Sequence, residues 1–351
     1  MNILMDILIL IFLIIIIYKI KFTKDNKEYL SLKTCNSIRG ILAIIVLFHH
    51  IAQRTTSGFL FQEFGNLGFM PVSLFFFFSG YGLMKKYISD ENYKEGFIKK
   101  RIPTLLIPYI IVIILYWIMY ACYGHSYTIN EMLEILSRGY IIASASWYIV
   151  DIIILYFIFF LSMKLLNKKY NLIILINLIF SILLMIILKN IGWGEYWYNT
   201  IIVSTLGMFW AYKEESIIRF LNKSYFITLP MFIALFLILY LNKNLFVRLL
   251  NFEYASVIIT LIIGILFSII MIMFSKKVII GNKILDFIGK ISLEVYLLQG
   301  IFAYIFRTGI FSISNDFLKS LMIIIFTFIF SFLFNKIFSF ILSKYKKLIK
   351  R

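Results

Sequence analysis

The chain has 351 residues, 62% of them hydrophobic, with a mean hydropathy of +0.94 and a net charge of +18. Soluble domains sit near half apolar, so a soluble enzyme or soluble binding module is excluded and an integral membrane protein is expected. The charge raises nucleic acid as a partner, but membrane topology accounts for basic residues equally well and is tested first.

Apolar runs long enough to cross a bilayer as helices recur along the whole chain. They are continuous rather than alternating, and backbone groups in lipid must pair within their own segment. The expected fold is therefore all-α, a polytopic helical bundle, and not a β-barrel. In chain order eleven spans are expected: 3–20, 38–53, 67–84, 104–122, 147–164, 171–188, 198–212, 225–241, 255–275, 291–306 and 321–342. The first has no basic stretch before it and no small-residue cleavage site after it, and Lys19 and Lys21 follow. It reads as a retained anchor rather than a signal peptide.

Alternate loops differ sharply in basic residues. One set holds 26 of the 35 Lys and Arg residues; the other holds 7, namely Arg54, Arg138, Lys189, Lys243, Arg248, Arg307 and Lys319. Only Arg39 and Lys336 fall inside spans. The positive-inside rule then puts the N-terminus outside and the C-terminus in the cytoplasm, and no nucleic-acid partner is needed. The basic tail, 343–351, suits contact with anionic lipid. Cys35 and Cys122 fall on opposite sides by this topology, so no disulfide is expected, and no metal-site spacing occurs. The longest loop, about 122–146, is too short for a soluble catalytic domain. GxGxxG, Walker A and HExxH patterns are absent, as is an internal repeat, so any active site is built from helices and their short connections.

Ionisable residues within spans are costly and by default functional. They are Asp6, Arg39, His49, His50, Asp151, Glu294 and Lys336. Arg39 and His50 are separated by about 1100° of helix, three turns plus about 20°, and so share a face, with His50 about 16 Å further along. His49 lies about 100° around from it. Two readings stay open. Arg39 and His50 line one cleft, or Arg39 snorkels while the histidines bond neighbouring helices. Asp151, one turn inside span five, either meets a histidine or sits at the interface. Glu294, four residues after Lys290, is expected to form a local ion pair with it. Asp6 and Lys336 are expected at the interface. "LFFFFSGYG", Leu74 to Gly82, brings Ser79 and Gly80 into span three, for close helix packing or for backbone approach to a ligand. Lys99, Lys100 and Arg101 at the mouth of span four set topology or hold an anionic cofactor tail.

These pieces together resemble the membrane-bound acyltransferase-3 family, whose members O-acylate cell-surface polysaccharides and similar acceptors. The resemblance spans roughly residues 34–340 and rests on five segments in order. They are Arg39–Gly40 with His50 after ten intervening residues from the arginine, "LFFFFSGYG", "FIKKRIPTLLIPYI", "SWYI" with Trp147, and "LDFIGKISLEVYLLQG" with Tyr296. Ser73 stands where many relatives carry an acidic residue, and Gln299 where many have histidine.

The resemblance divides the chain into an added N-terminal anchor and loop (1–33), an acyltransferase-3-like membrane domain (34–342) and the tail (343–351). It implies acyl transfer from cytoplasmic acyl-CoA, acetyl-CoA by default, serving as co-substrate rather than bound cofactor. The acceptor would be a hydroxyl of an extracytoplasmic glycan, and the location a bacterial cell membrane. His50 is then the general base, with a transient acyl-histidine as the alternative. Arg39 holds a CoA phosphate or stabilises the thioester oxyanion. Ser79, Gly80 and Tyr81 line the acyl-CoA channel, Arg101 helps at its mouth, and Trp147 belongs to the substrate-binding set. His49, Asp151, Glu294 and Tyr296 are secondary candidates. The competing class is a transporter or flippase for a surface polymer or lipid-linked sugar. A third reading is an inactive subunit of an envelope-assembly complex. The acceptor's identity and the oligomeric state stay open.

Overall fold

A computed structural model describes residues 4–90, 92–143 and 145–349. The first residue of the expected span 3–20, and Lys350 and Arg351 of the basic tail, lie outside the described residues. The helices in chain order are α1 (Leu4–Ile17), α2 (Leu32–Ala52), α3 (Phe69–Ser89), α4 (Phe97–Cys122), α5 (Ile129–Ser137), α6 (Trp147–Leu166), α7 (Tyr170–Asn190), α8 (Val203–Leu241), α9 (Lys243–Leu250), α10 (Ala255–Lys277), α11 (Lys283–Lys290), α12 (Ser292–Ile305) and α13 (Asp316–Ile349). Two short strands, β1 (Lys21–Phe22) and β2 (Val278–Ile279), pair antiparallel and tie the α1–α2 loop to the end of α10.

Local chemistry sets several helix ends. Ser31 caps α2 by accepting from the Thr34 N–H, and Asn282 caps α11 by accepting from the Ile284 and Leu285 N–H groups. Thr128 and Glu131 form a reciprocal capping box at α5, the Thr-x-x-Glu pattern that satisfies two orphan backbone donors. Pro103 and Pro108 sit inside α4, which neighbouring helices tolerate in a membrane bundle.

Among the described residues seven helices are long and apolar enough to cross a membrane. The number is eight if α11 and α12, bent by 74° at Ile291, form one broken span. Three differences separate this from the eleven expected spans. Among the described residues α1 has 14 residues, fewer than a full crossing needs. The polar residues of "SGYG" and the lysines after it lower the apolarity of α3. The expected spans 198–212 and 225–241 are one helix, α8, kinked at Lys213.

The core has two large apolar bodies, with a smaller third where α3, α8 and α10 meet. One gathers around α3, α6, α7, α8 and α10; the other around α1, α2, α4, α11, α12 and α13. Glycine lets backbones touch within each. A Cβ at Gly80 would overlap the Ser204 carbonyl of α8, and one at Gly207 would overlap the Phe77 carbonyl of α3. Likewise Gly40 on α2 meets the Leu285 carbonyl of α11, and Gly289 on α11 meets the Asn36 carbonyl of α2. Small residues that permit such approach are the usual adhesive of membrane helices. The two apolar bodies meet along α2, α3 and α6, and cavities open at that seam.

Candidate active site

Two cavities lie end to end along α2. The smaller, about 230 Å³, is lined by Arg39 and Val46 of α2, Ser79 of α3, Leu105 of α4, Tyr148 and Tyr156 of α6 and Ser292 of α12. The larger, about 590 Å³, is lined by His49 and His50 of α2, Gln53 and Arg54 just beyond it, Trp147, Tyr196, Trp197 and Asn199. That volume is typical of small-molecule sites. Val46, Val72 and Tyr296 line both cavities. Along α2, Arg39, Val46, His50 and Gln53 follow one another at spacings of seven, four and three residues, a single helical stripe. The shared face read from the sequence is therefore the face that opens on the seam. Arg39 and His50 occupy different cavities on it.

The histidines have distinct supports. The His49 Nδ1 lies 3.0 Å from the Phe64 carbonyl oxygen. A carbonyl only accepts, so Nδ1 carries the hydrogen in this contact. The Nε2 edge packs against Gly68, where a Cβ would collide with the ring. The His50 Nδ1 lies 3.4 Å from the Gln53 Oε1, and the two imidazoles have centroids 4.9 Å apart. A helical phase of about 100° from His50 does not keep His49 out of the cavity. The cavity subtends more than 100° of α2, so both rings reach it.

In the smaller cavity the Arg39 guanidinium stacks 5.7 Å from the Phe78 ring. The Ser79 hydroxyl donates to the Tyr156 phenol at 3.1 Å. At the junction the Tyr296 hydroxyl donates to the Ala145 carbonyl and accepts from the Tyr148 N–H at 3.4 Å. Tyr296 thus ties α12 to the start of α6 where the two cavities meet.

Several expected site residues stand elsewhere. Gly80 faces α8 and lines neither cavity; its role is helix packing. The Tyr81 hydroxyl turns to Glu214 of α8 at 3.1 Å, where Lys85 and Tyr29 also bind that carboxylate. Arg101 donates to the Tyr93 hydroxyl at 3.2 Å and stacks on its ring, one turn of α4 before Leu105. Trp147 lines the histidine cavity, not the Arg39 cavity, against Tyr196 and Trp197. Glu294 makes no ion pair with Lys290. The α11–α12 break turns Lys290 toward Asp286 at 2.6 Å, and Glu294, 4% exposed, accepts from Asn335 of α13 at 2.9 Å.

Asp151 is fully buried beside the seam and lines neither cavity, so it meets no histidine there. Asp6 accepts from the Phe59 and Phe61 N–H groups, pinning the loop after α2, while Lys336 lies over the Phe332 ring. Ser73 is buried between Met70, Gly264 and Ser268. Gln299 is buried, bonds the Tyr296 carbonyl and backs a small pocket beside His50. Both cysteine thiols are free.

The sequence reading missed Tyr148, Tyr156, Tyr196 and Trp197. Aromatic residues in an apolar helix or a loop look like core or interface, and nothing in their spacing marked them.

A family model for the acyltransferase domain matches residues 34–336, which runs from α2 into α13 and includes every helix lining the two cavities. No curated protein and no solved structure matches the chain. The chain belongs to this acyltransferase family, the one its sequence motifs resemble, and is a multi-pass membrane protein.

Proposed function

We propose that this acyltransferase takes an acyl group from acyl-CoA on the cytoplasmic side and transfers it to a hydroxyl of a glycan on the outer side of a bacterial cell membrane. The observation that carries the reading is the pair of cavities meeting at Val46, Val72 and Tyr296, with Arg39 in one and His50 in the other. The basic loops adjoin the Arg39 end of α2, which matches a cytoplasmic anionic donor. Arg39 is planar and always charged, suited to a CoA phosphate. The aromatic wall of Tyr140, Trp147, Tyr196 and Trp197 offers flat apolar faces with polar edges, suited to sugar rings.

In this mechanism the His50 Nε2 takes the proton from the acceptor hydroxyl as its oxygen attacks the thioester carbonyl carbon. The C–O bond forms and the C–S bond breaks. The proton passes to the departing CoA thiolate, so the imidazole ends neutral and no net charge is created. Holding donor and acceptor at the junction makes the step effectively intramolecular.

The test uses protein in proteoliposomes with radiolabelled acetyl-CoA and a polysaccharide extract from the native envelope. Transfer should depend on His50 and on Arg39. Stable acetyl-CoA in the presence of every acceptor, together with movement of the polymer across the bilayer, would replace this reading with a transporter.

A further inference from the structure

The connection between α4 and α6 carries an amphipathic helix, α5, none of whose residues is buried. Ile129, Leu133 and Leu136 stand at i, i+4 and i+7, within about 60° of one another around the axis. They are 76%, 58% and 38% exposed. Glu131 and Glu134 fall on the far side, where Glu134 pairs with Arg138. Met132 and Ile135 are half-buried and take the side toward the protein. The apolar stripe thus meets neither the protein nor the polar face.

Aromatic donors strap both ends of α5. The Trp117 indole of α4 donates to the Tyr127 carbonyl at 2.8 Å, just before the Thr128 cap. At the other end the Trp193 indole donates to the Ser137 carbonyl at 3.2 Å. Tyr196 and Trp197 donate to the Gly139 carbonyl at 3.2 and 2.8 Å. Gly139, left-handed at φ +77°, turns the chain out of the helix and into Tyr140, Ile141 and Ile142, which line the histidine cavity. Tyr140 is 62% exposed, so the cavity wall reaches the molecular surface where α5 ends.

The depth of α5 says what covers the stripe. With 26 residues, α4 is about 39 Å long, against a hydrocarbon core of about 30 Å. Trp117 lies five residues before the end of α4 at Cys122, about 7.5 Å below it. With the excess length shared between both ends, the indole sits near the boundary of hydrocarbon and headgroups, where tryptophan concentrates. It shares a stripe of α4 with Ile110 and Ile114, and all three are exposed. The bond to Tyr127 holds the start of α5 at that depth, so the α5 stripe continues the lipid-facing surface of α4. Three side chains fall well short of the ~800 Å² per partner that a stable protein interface buries, which argues against a second copy as the cover. Amphipathic helices of this kind lie in the interface with the apolar face in the acyl boundary.

Resting on the acyltransferase reading of this site, we infer that α5 lies in the outer leaflet as the lip of the histidine cavity and that the acceptor is a lipid-anchored glycan entering there. Its hydrocarbon anchor stays in the bilayer along Ile129, Leu133 and Leu136, while its sugar passes Tyr140 toward His50. The aromatic wall takes the sugar face, and the anchor confines the acceptor to the level at which the cavity opens.

The acceptor probes are two fractions of the native envelope: glycolipid extracted with chloroform–methanol, and the same glycan freed of lipid by mild acid. Full-length protein in proteoliposomes with radiolabelled acetyl-CoA should label the glycolipid about 100-fold faster at equal sugar, because anchoring raises effective concentration. Leu133→Glu should shrink that ratio about 10-fold, and Asn130→Ala, outside the stripe, should leave it unchanged. Depth is read separately, with no dependence on catalysis. A nitroxide is attached at Leu133→Cys or Glu134→Cys in a background of Cys35→Ser and Cys122→Ser. The Leu133 position should collide several-fold more with oxygen, which concentrates in lipid, than with a water-soluble nickel chelate; the Glu134 position should show the reverse. Equal labelling of the two fractions, a water-exposed Leu133 position, or one shielded from both reagents by protein overturns the inference. If neither fraction is labelled while the Leu133 position reads as lipid, the acyltransferase reading fails and the lipid-facing lip stands.

Discussion

Gly40→Ala is the sharpest test of how the fold sets the site. Gly40 follows Arg39 directly and packs on α11. An added Cβ would overlap the Leu285 carbonyl oxygen and sit 3.0 and 3.1 Å from its carbon and Cα, where ordinary contact begins at 3.4 Å. The obstruction is backbone, which cannot rotate aside, so α2 and α11 must part by about 1 Å. Overpacking of this kind costs about 1–3 kcal/mol. The same displacement moves Arg39 relative to Phe78 and Ser79, and a misplacement of about 1 Å costs on the order of 100-fold in rate. Melting temperature in detergent and acetyl transfer in proteoliposomes measure the two effects. Gly82→Ala is the control: nothing lies within 4 Å of its added Cβ, and alanine gains up to about 1 kcal/mol of helix propensity. A Gly40→Ala protein with wild-type melting and wild-type activity would refute the claim that this contact positions Arg39.

His50→Ala should lower transfer by about 100-fold or more, the usual worth of a general base, while insertion and melting stay unchanged. His49→Ala should cost about 10-fold through loss of the neighbouring ring; an equal loss in both variants, measured in the same assay, would move the base to His49. Asn335→Leu removes the donor to a buried carboxylate and should destabilise by about 1–3 kcal/mol. Glu294→Gln keeps that bond and should melt within a few degrees of wild type. Tyr296→Phe loses the hydroxyl that joins α12 to α6. Its rate should fall with little change in acetyl-CoA binding, as checked by calorimetry against transfer kinetics.

The sequence by itself determined the class of fold, the helical stripe of α2 and the family. Continuous apolar runs have one stable answer in lipid. A 3.6-residue period places Arg39 and His50 on one side of a helix whatever surrounds it. The order of Arg39–Gly40, "LFFFFSGYG" and "LDFIGK" carried the family because each is local in the chain. Tertiary structure alone decided what each side meets. Periodicity gives an angle about one helix axis, not the neighbour at that angle nor how wide a gap opens there. So His49 reaches the cavity despite its phase, and Gly80 and Tyr81 turn to α8 while Ser79 beside them turns to the seam. Glu294 finds Asn335 across α13 because the break at Ile291 carries Lys290 away. That Arg54 and Arg307, 253 residues apart in the chain, line one pocket depends on how the end of α2 packs against the turn after α12. No periodicity within one segment can report a distance between segments.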